Sequence, residues 1–263
     1  MKIAVLYIGI GRYKVFWPEF YRSCEKYFLP NADKEYFFFT DQLDELKPDN
    51  VREYFQEDLG WPGNTLYRFQ MFLRCKEELK LFDFIYFFNG NTLFLDTISE
   101  EEIIPNESEG YLVALSWHIY DSIPNVKYAY ERNSKSAAYI PKGEGDHYYQ
   151  GGLNGGRTKE YLELMEQCNF QIMSDDKKGI TAICHDESHL NKYLLEHNVK
   201  VLKTIYGKPE KWQNINSPKI IFRDKYRLFG DEIYKMKGKT RNKYLVSVFH
   251  KIKCFIQLKF RFG

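Results

Sequence analysis

The chain predicts an α/β fold with a mostly parallel central sheet, and three observations carry that prediction. Short apolar runs recur at Ile3 to Ile8, Glu35 to Thr40 and Phe82 to Phe88. Segments with helical spacing stand between them, Phe16 to Tyr27 and Thr65 to Leu81. Two of the runs stop at glycine-rich or polar loops, Gly9-Ile10-Gly11-Arg12-Tyr13 and Asn89-Gly90-Asn91. Strands alternating with helices favour a single Rossmann-like domain, and ligands of such sheets bind beyond the carboxyl ends of strands.

Each element has its own reason. Ile3 to Ile8 reads as a buried strand, because the apolar run after Met1-Lys2 is too short for an export signal and lacks a small-residue cleavage site. Gly9-x-Gly11 after that strand fits either a nucleotide cradle or an ordinary tight turn, since the third glycine of a dinucleotide fingerprint is missing. Glu35 to Thr40 is a second aromatic strand ending at Asp41. In Thr65 to Leu81, helical spacing aligns Leu66, Phe69, Phe72 or Leu73, and Leu79. Phe82 to Phe88 is a third buried strand. From Leu245 the apolar positions Val248, Phe249, Ile252, Phe255 and Ile256 alternate with Lys251, Lys253 and Lys259, the pattern of a basic amphipathic helix. The expected organisation is a folded domain over 1–238 and a basic tail over 239–263.

Composition narrows the function. Hydrophobic residues make up 44% of the 263, enough for a packed core. The net charge of +2 hides an acidic body, because the last 25 residues carry seven Lys or Arg and no acid. Nucleic-acid binding is therefore not expected. Five cysteines without CxxC spacing fit reduced thiols, not disulfides or a zinc knuckle. No stretch approaches the roughly 18 apolar residues of a membrane span.

Four segments, in order, resemble the family 6 glycosyltransferases, which include the histo-blood-group A and B transferases and bacterial relatives. They are Tyr128-Ala-Tyr-Glu-Arg132, Ala138-Tyr-Ile-Pro141 with Glu144-Gly-Asp146, Tyr148-Tyr-Gln-Gly-Gly-Leu-Asn-Gly-Gly156, and His185-Asp-Glu-Ser-His-Leu-Asn-Lys-Tyr193. The resemblance implies an A-type glycosyltransferase fold and retaining transfer to the 3-hydroxyl of galactose. It places Ile8, Gly9, Ile10 and Tyr13 around uridine and Arg68 on the donor. Glu187 then stands at the position of the family's proposed nucleophile, with Asp186 orienting a sugar hydroxyl or a basic partner. Retaining chemistry needs such a carboxylate, because charge develops at the anomeric carbon.

The chain departs from the animal members at Asn89-Gly90-Asn91, where they carry Asp-x-Asp on Mn²⁺. Two neutral amides bring no negative charge to a hard cation, so neither a metal nor another cofactor is expected. The leaving diphosphate then needs Lys or Arg, with Lys225 first, Arg68 and the Lys235 to Lys239 cluster behind it. Donor choice is expected at Gln150, Gly151 and Gly152. The family pattern favours UDP-N-acetylgalactosamine through a missing Cβ at Gly152, with UDP-galactose as the alternative.

Acceptor contacts are expected from Ser116, Trp117, His118, Ala129 and Asp186. Ser116 and Cys184 replace a His and a Trp of many relatives, which leaves fucosylated and unfucosylated β-galactosides both open. Two rivals remain. His185 and His189 stand four apart, as zinc ligands on a helix would, but Asp186 follows the first His where the zinc-protease pattern needs Glu. A sugar-binding relative without turnover is the other. The expected partners are a UDP-sugar, a galactose-terminated glycan that a lipid carries, and an anionic membrane surface for the tail. The expected location is cytoplasmic, at the inner face of the membrane.

Overall fold

The structure, a computed structural model, describes residues 1–120, 123–213, 215–230 and 232. Its strands are β1 (Lys2–Ile8), β2 (Asp33–Thr40), β3 (Val51–Phe55), β4 (Phe84–Phe88), β5 (Thr92–Phe94), β6 (Leu112–Ser116), β7 (Tyr149–Arg157), β8 (Lys200–Leu202), β9 (Lys208–Pro209) and β10 (Ile220–Phe222). The helices are α1 (Trp17–Tyr27), α2 (Gly60–Leu66), α3 (Arg68–Leu73), α4 (Lys76–Leu79), α5 (Glu100–Ile103), α6 (Thr158–Asp176), α7 (Asp186–Leu194) and α8 (Lys225–Phe229). Seven strands form the central sheet in the order β3-β2-β1-β4-β7-β6-β8, and a small sheet joins β5, β10 and β9. Within the central sheet β7 alone runs against its neighbours, so the mostly parallel sheet expected from the sequence is present.

Burial explains the apolar runs. Ile3 to Tyr7 and Tyr36 to Phe39 are all buried, because a parallel strand has helices on both faces. One face packs on Leu66, Phe69, Phe72, Tyr161 and Leu164, the other on Phe20, Phe28 and Phe94. Rings fill the second layer: Trp17 stacks on Phe38 at 4.4 Å, and Phe28 meets Phe88 edge-on at 5.0 Å. Much of the aromatic excess is therefore core.

Thr65 to Leu81 is not the single helix that its spacing predicts. It falls into parts of α2, α3 and α4, broken at Tyr67 (ψ 16°) and Cys75 (ψ 25°). The apolar period runs unbroken across both breaks, so periodicity cannot reveal them. No helix of the described residues is long and apolar enough to cross a membrane. The Lys235 to Lys239 cluster and the amphipathic tail lie outside the described residues.

Candidate active site

Chain direction puts the site together. Because β7 is antiparallel, its first residues lie where β4 and β6 end, with Leu153 opposite Phe88 and Tyr149 opposite Ser116. Between Ala114 and Leu115 the register against β6 jumps from Asn154 to Gln150, which leaves Gly151 to Leu153 as a bulge on that side. A cleft of about 670 Å³ opens there. One wall, on the side where the sequence places the donor, carries Ile8, Ile10, Gly11, Arg12, Tyr13, Asn89, Gly90 and Lys225, and the opposite wall carries Arg68, Gln150, Gly151, Gly152, Asp186 and Glu187.

Glu187 sits in the first turn of α7, where helix amides favour negative charge. Its Oε1 accepts from the Tyr148 hydroxyl at 2.5 Å, and its Oε2 accepts from the Gly151 amide at 2.6 Å. Removal from bulk water pushes this carboxyl up to about 7, against the pull of those two donors. Asp186 is buried and rises to about 6 for the same reason, with Arg68 opposing. Arg68 is itself buried. Its Nη1 donates to the Gly151 carbonyl at 2.7 Å, and its Nη2 stands 3.0 Å from Asp186 Oδ2. Asn191 fastens the assembly by pairing with the Tyr149 backbone at 2.9 and 2.7 Å and with the Glu187 carbonyl at 2.8 Å. A single carboxylate is thus held at two points beside a buried guanidinium.

The donor-side wall is built from strand ends. Gly90 is needed there, because a Cβ would stand 2.9 Å from the Ile8 carbonyl. Tyr13 packs on Phe229 at 5.6 Å, and the Lys225 ammonium lies 5.0 Å from the Tyr13 ring centre. The expected basic partner of a diphosphate and the expected aromatic flank of uracil are neighbours.

Five expected site residues are outside the cleft lining among the described residues, and a sixth, Gly152, lines it with no open space beside it. Gly9 lies behind the wall, where a Cβ would meet the Phe38 ring at 2.7 Å. Asn91 is buried and donates to the Arg223 carbonyl at 2.6 Å, tying β4 to the C-terminal strand instead of lining the cleft. Ser116 is buried at the end of β6. Trp117 packs on Trp212 at 5.4 Å, outside the cleft lining. Ala129 turns its carbonyl to the Cys184 thiol at 3.7 Å. Gly152 lines the cleft, but the space of its missing Cβ is filled by Phe222, whose Cζ would be 2.7 Å away. The absent methyl therefore leaves no open room by itself. His118 begins a short 3-10 turn, and its side chain lies outside the described residues.

Tyr148, Trp61 and His185 bear on the site without having been anticipated there: Trp61 and His185 line the cleft, and Tyr148 reaches Glu187. Tyr148 directly precedes β7 in a segment already singled out, so its position was the available signal. Trp61 follows β3, at the same carboxyl edge of the sheet, and meets the His185 ring edge-on at 5.0 Å. His189 is buried at 1% exposure, 3.9 Å from Asp175, and burial lowers it to about 4. The two histidines do not join a group of three metal-ligating side chains among the described residues.

The profile of glycosyltransferase family 6 matches residues 1–223. The chain belongs to glycosyltransferase family 6. It is 35% identical over 229 residues to the Escherichia coli O-antigen biosynthesis glycosyltransferase WbnI, covering 86% of this chain and 96% of that one. It is 30% identical to the Gallus gallus globoside alpha-1,3-N-acetylgalactosaminyltransferase 1, covering 75% of this chain and 58% of the relative. It is also 31% identical to the Rattus norvegicus histo-blood group ABO system transferase 1, covering 78% of this chain and 60% of the relative. The chain thus spans a little over half the length of these animal relatives. As a family 6 member it is a hexosyltransferase of the A-type fold, taking a nucleotide-sugar donor and a glycan acceptor.

Proposed function

We propose that this enzyme is a retaining α-1,3-N-acetylgalactosaminyltransferase that works without a metal ion. It moves N-acetylgalactosamine from UDP to the 3-hydroxyl of a β-galactoside. The observation that carries this reading is Glu187, whose two oxygens are held by Tyr148 and Gly151 in a cleft bordered by Arg68 and Lys225.

In the reaction the anomeric C–O bond to the diphosphate breaks, and positive charge grows on the sugar ring. Glu187, ionised above about pH 7, stabilises that charge from the face opposite the leaving group. The acceptor oxygen bonds to the anomeric carbon on the leaving-group face, and its proton passes to the departing diphosphate. Lys225 and Arg12 line the cleft and offset the charge that UDP gains. Asn89 offers only a neutral amide at the strand end, so the cations carry that task in place of a divalent ion.

Donor choice rests on Gln150. This residue lines the cleft, and its buried side-chain nitrogen has no hydrogen-bond partner among the described residues. An acetamido carbonyl would satisfy it, and a site built around such a bond discriminates against the analogue lacking the acceptor. The Gly152 contact with Phe222 keeps UDP-galactose as the second reading, because the glycine does not itself open space. The test supplies lactose and each UDP-sugar, and reads product linkage and anomeric configuration by NMR. An α-1,3-linked N-acetylgalactosamine product is expected. A β-linked product would sink the retaining reading, and faster turnover of UDP-galactose would replace the donor.

A further inference from the structure

The Tyr128 to Arg132 and Ala138 to Pro141 segments are singled out by the sequence, yet neither lines the cleft. They belong to a loop over 123–148 that satisfies its own polar groups. The Arg132 guanidinium donates to the Ile140 carbonyl at 2.6 Å and the Pro141 carbonyl at 2.5 Å, and the Tyr130 hydroxyl donates to the His147 carbonyl. The loop ends at Tyr148, the donor to Glu187.

The turn before α7 is held partly from within, where the Cys184 amide donates to Ser188 Oγ at 3.0 Å, and partly from outside. His185 has φ 57° and ψ −128°, a backbone state that persists only where surroundings over-determine it. Ile183, two residues earlier, has a side chain 64% exposed, so its packing does little to fix the turn. The hold on Ile183 is on its backbone: its amide donates to Glu131 Oε2 at 2.7 Å. Glu131 is buried, and its Oε1 accepts from the Asn133 amide at 2.7 Å. One carboxylate thus ties the Tyr148 loop to the Glu187 turn, beside the longer contact of the Cys184 thiol with the Ala129 carbonyl at 3.7 Å. A second buried carboxylate, Asp175, also holds the loop through Ser136 and the Ala137 amide, both on 123–148, but makes no bond to the turn.

We propose that Glu131 is a positioning residue that keeps Glu187 and its tyrosine donor in register. This rests on the reading of Glu187 as the catalytic carboxylate. An amide at 131 keeps the shape but loses one of two acceptors, so one backbone N–H is left facing an NH2 group.

The test compares Glu131→Gln, Ser136→Ala and Glu187→Gln, each by steady-state kinetics, Tm and amide hydrogen exchange over 182–188. For Glu131→Gln, kcat is expected to fall about 10- to 100-fold, as small misplacements near reacting atoms do. KM for the donor should stay within about twofold, and exchange over 182–188 should quicken. Ser136→Ala, which loosens the loop from α6 only, should lower Tm and keep kcat within about twofold. Unchanged kcat or unchanged exchange in Glu131→Gln overturns the proposal, as does an equal kcat loss in Ser136→Ala. Full turnover in Glu187→Gln would overturn the functional reading instead, and the exchange data would still decide the tie.

Discussion

The two walls of the cleft are built on different principles. The donor-side wall is made of strand ends: Ile8 and Ile10 after β1, Asn89 and Gly90 after β4, with Tyr13 and Lys225 laid beside them. The opposite wall is a buried polar network: Arg68 joins Asp186 and the Gly151 carbonyl, Tyr148 donates to Glu187, and Asn191 donates to the Glu187 carbonyl. The first wall is expected to tolerate changed chemistry at Asn89, because its shape comes from backbone and apolar packing. The second is not, because each of its charges depends on a neighbour for its place and its ionisation.

The largest expected effect comes from removing the buried cation. Arg68→Met leaves Asp186 buried without its cation and removes the shorter of two hydrogen bonds to the Gly151 carbonyl. Breaking a buried pair costs about 3–5 kcal/mol. That corresponds to a Tm fall of roughly 10 °C in a domain of this size. Activity should be lost with it. Adding Asp186→Asn should restore most of the Tm but not the rate; if the double variant is no more stable than the single, the pair is not what holds this wall.

Gly152→Ala should act more gently and through packing. Its Cβ would displace the Phe222 ring, at about 1–3 kcal/mol for overpacking. A second change, Phe222→Leu, should recover part of that in thermal melts. A Gly152→Ala variant with unchanged Tm would show that Phe222 moves freely. The smallest effect is expected on the donor-side wall. Asn89→Asp should leave Tm within about 1 °C, as half-exposed polar substitutions usually do. A drop like that of Arg68→Met would erase the contrast between the walls.

Much of this was legible in the sequence, for reasons that differ by residue. The strands β1, β2 and β4 announce themselves because burial on both faces makes them continuously apolar. Ile8, Ile10, Tyr13, Asn89, Gly90 and Lys225, expected at the donor because they border strand ends or a matched motif, line the cleft. Gly9 and Asn91 sit one residue from that edge, and only the backbone path shows which neighbour faces the cleft. Trp117 and Ala129, assigned to an acceptor by resemblance, pack against the cluster of Tyr130, Ile140 and Tyr148, and Ser116 is buried at the end of β6. The hold of Tyr148 on Glu187 and of Glu131 on Ile183 spans 39 and 52 residues, beyond any local pattern.

The central claim is that an ionised Glu187, and no divalent metal, drives transfer. The direct measurement is UDP release from UDP-N-acetylgalactosamine with lactose in EDTA, from pH 5 to 9, for the wild type and Glu187→Gln. Because burial raises the Glu187 carboxyl to about 7, its catalytic form is gained as pH rises, so the wild-type rate should climb through about pH 7 and then level. The variant should lose about 10³-fold and the acid limb together. A wild-type rate that vanishes in EDTA and returns with manganese, or a variant that keeps the wild-type rate, would contradict the claim.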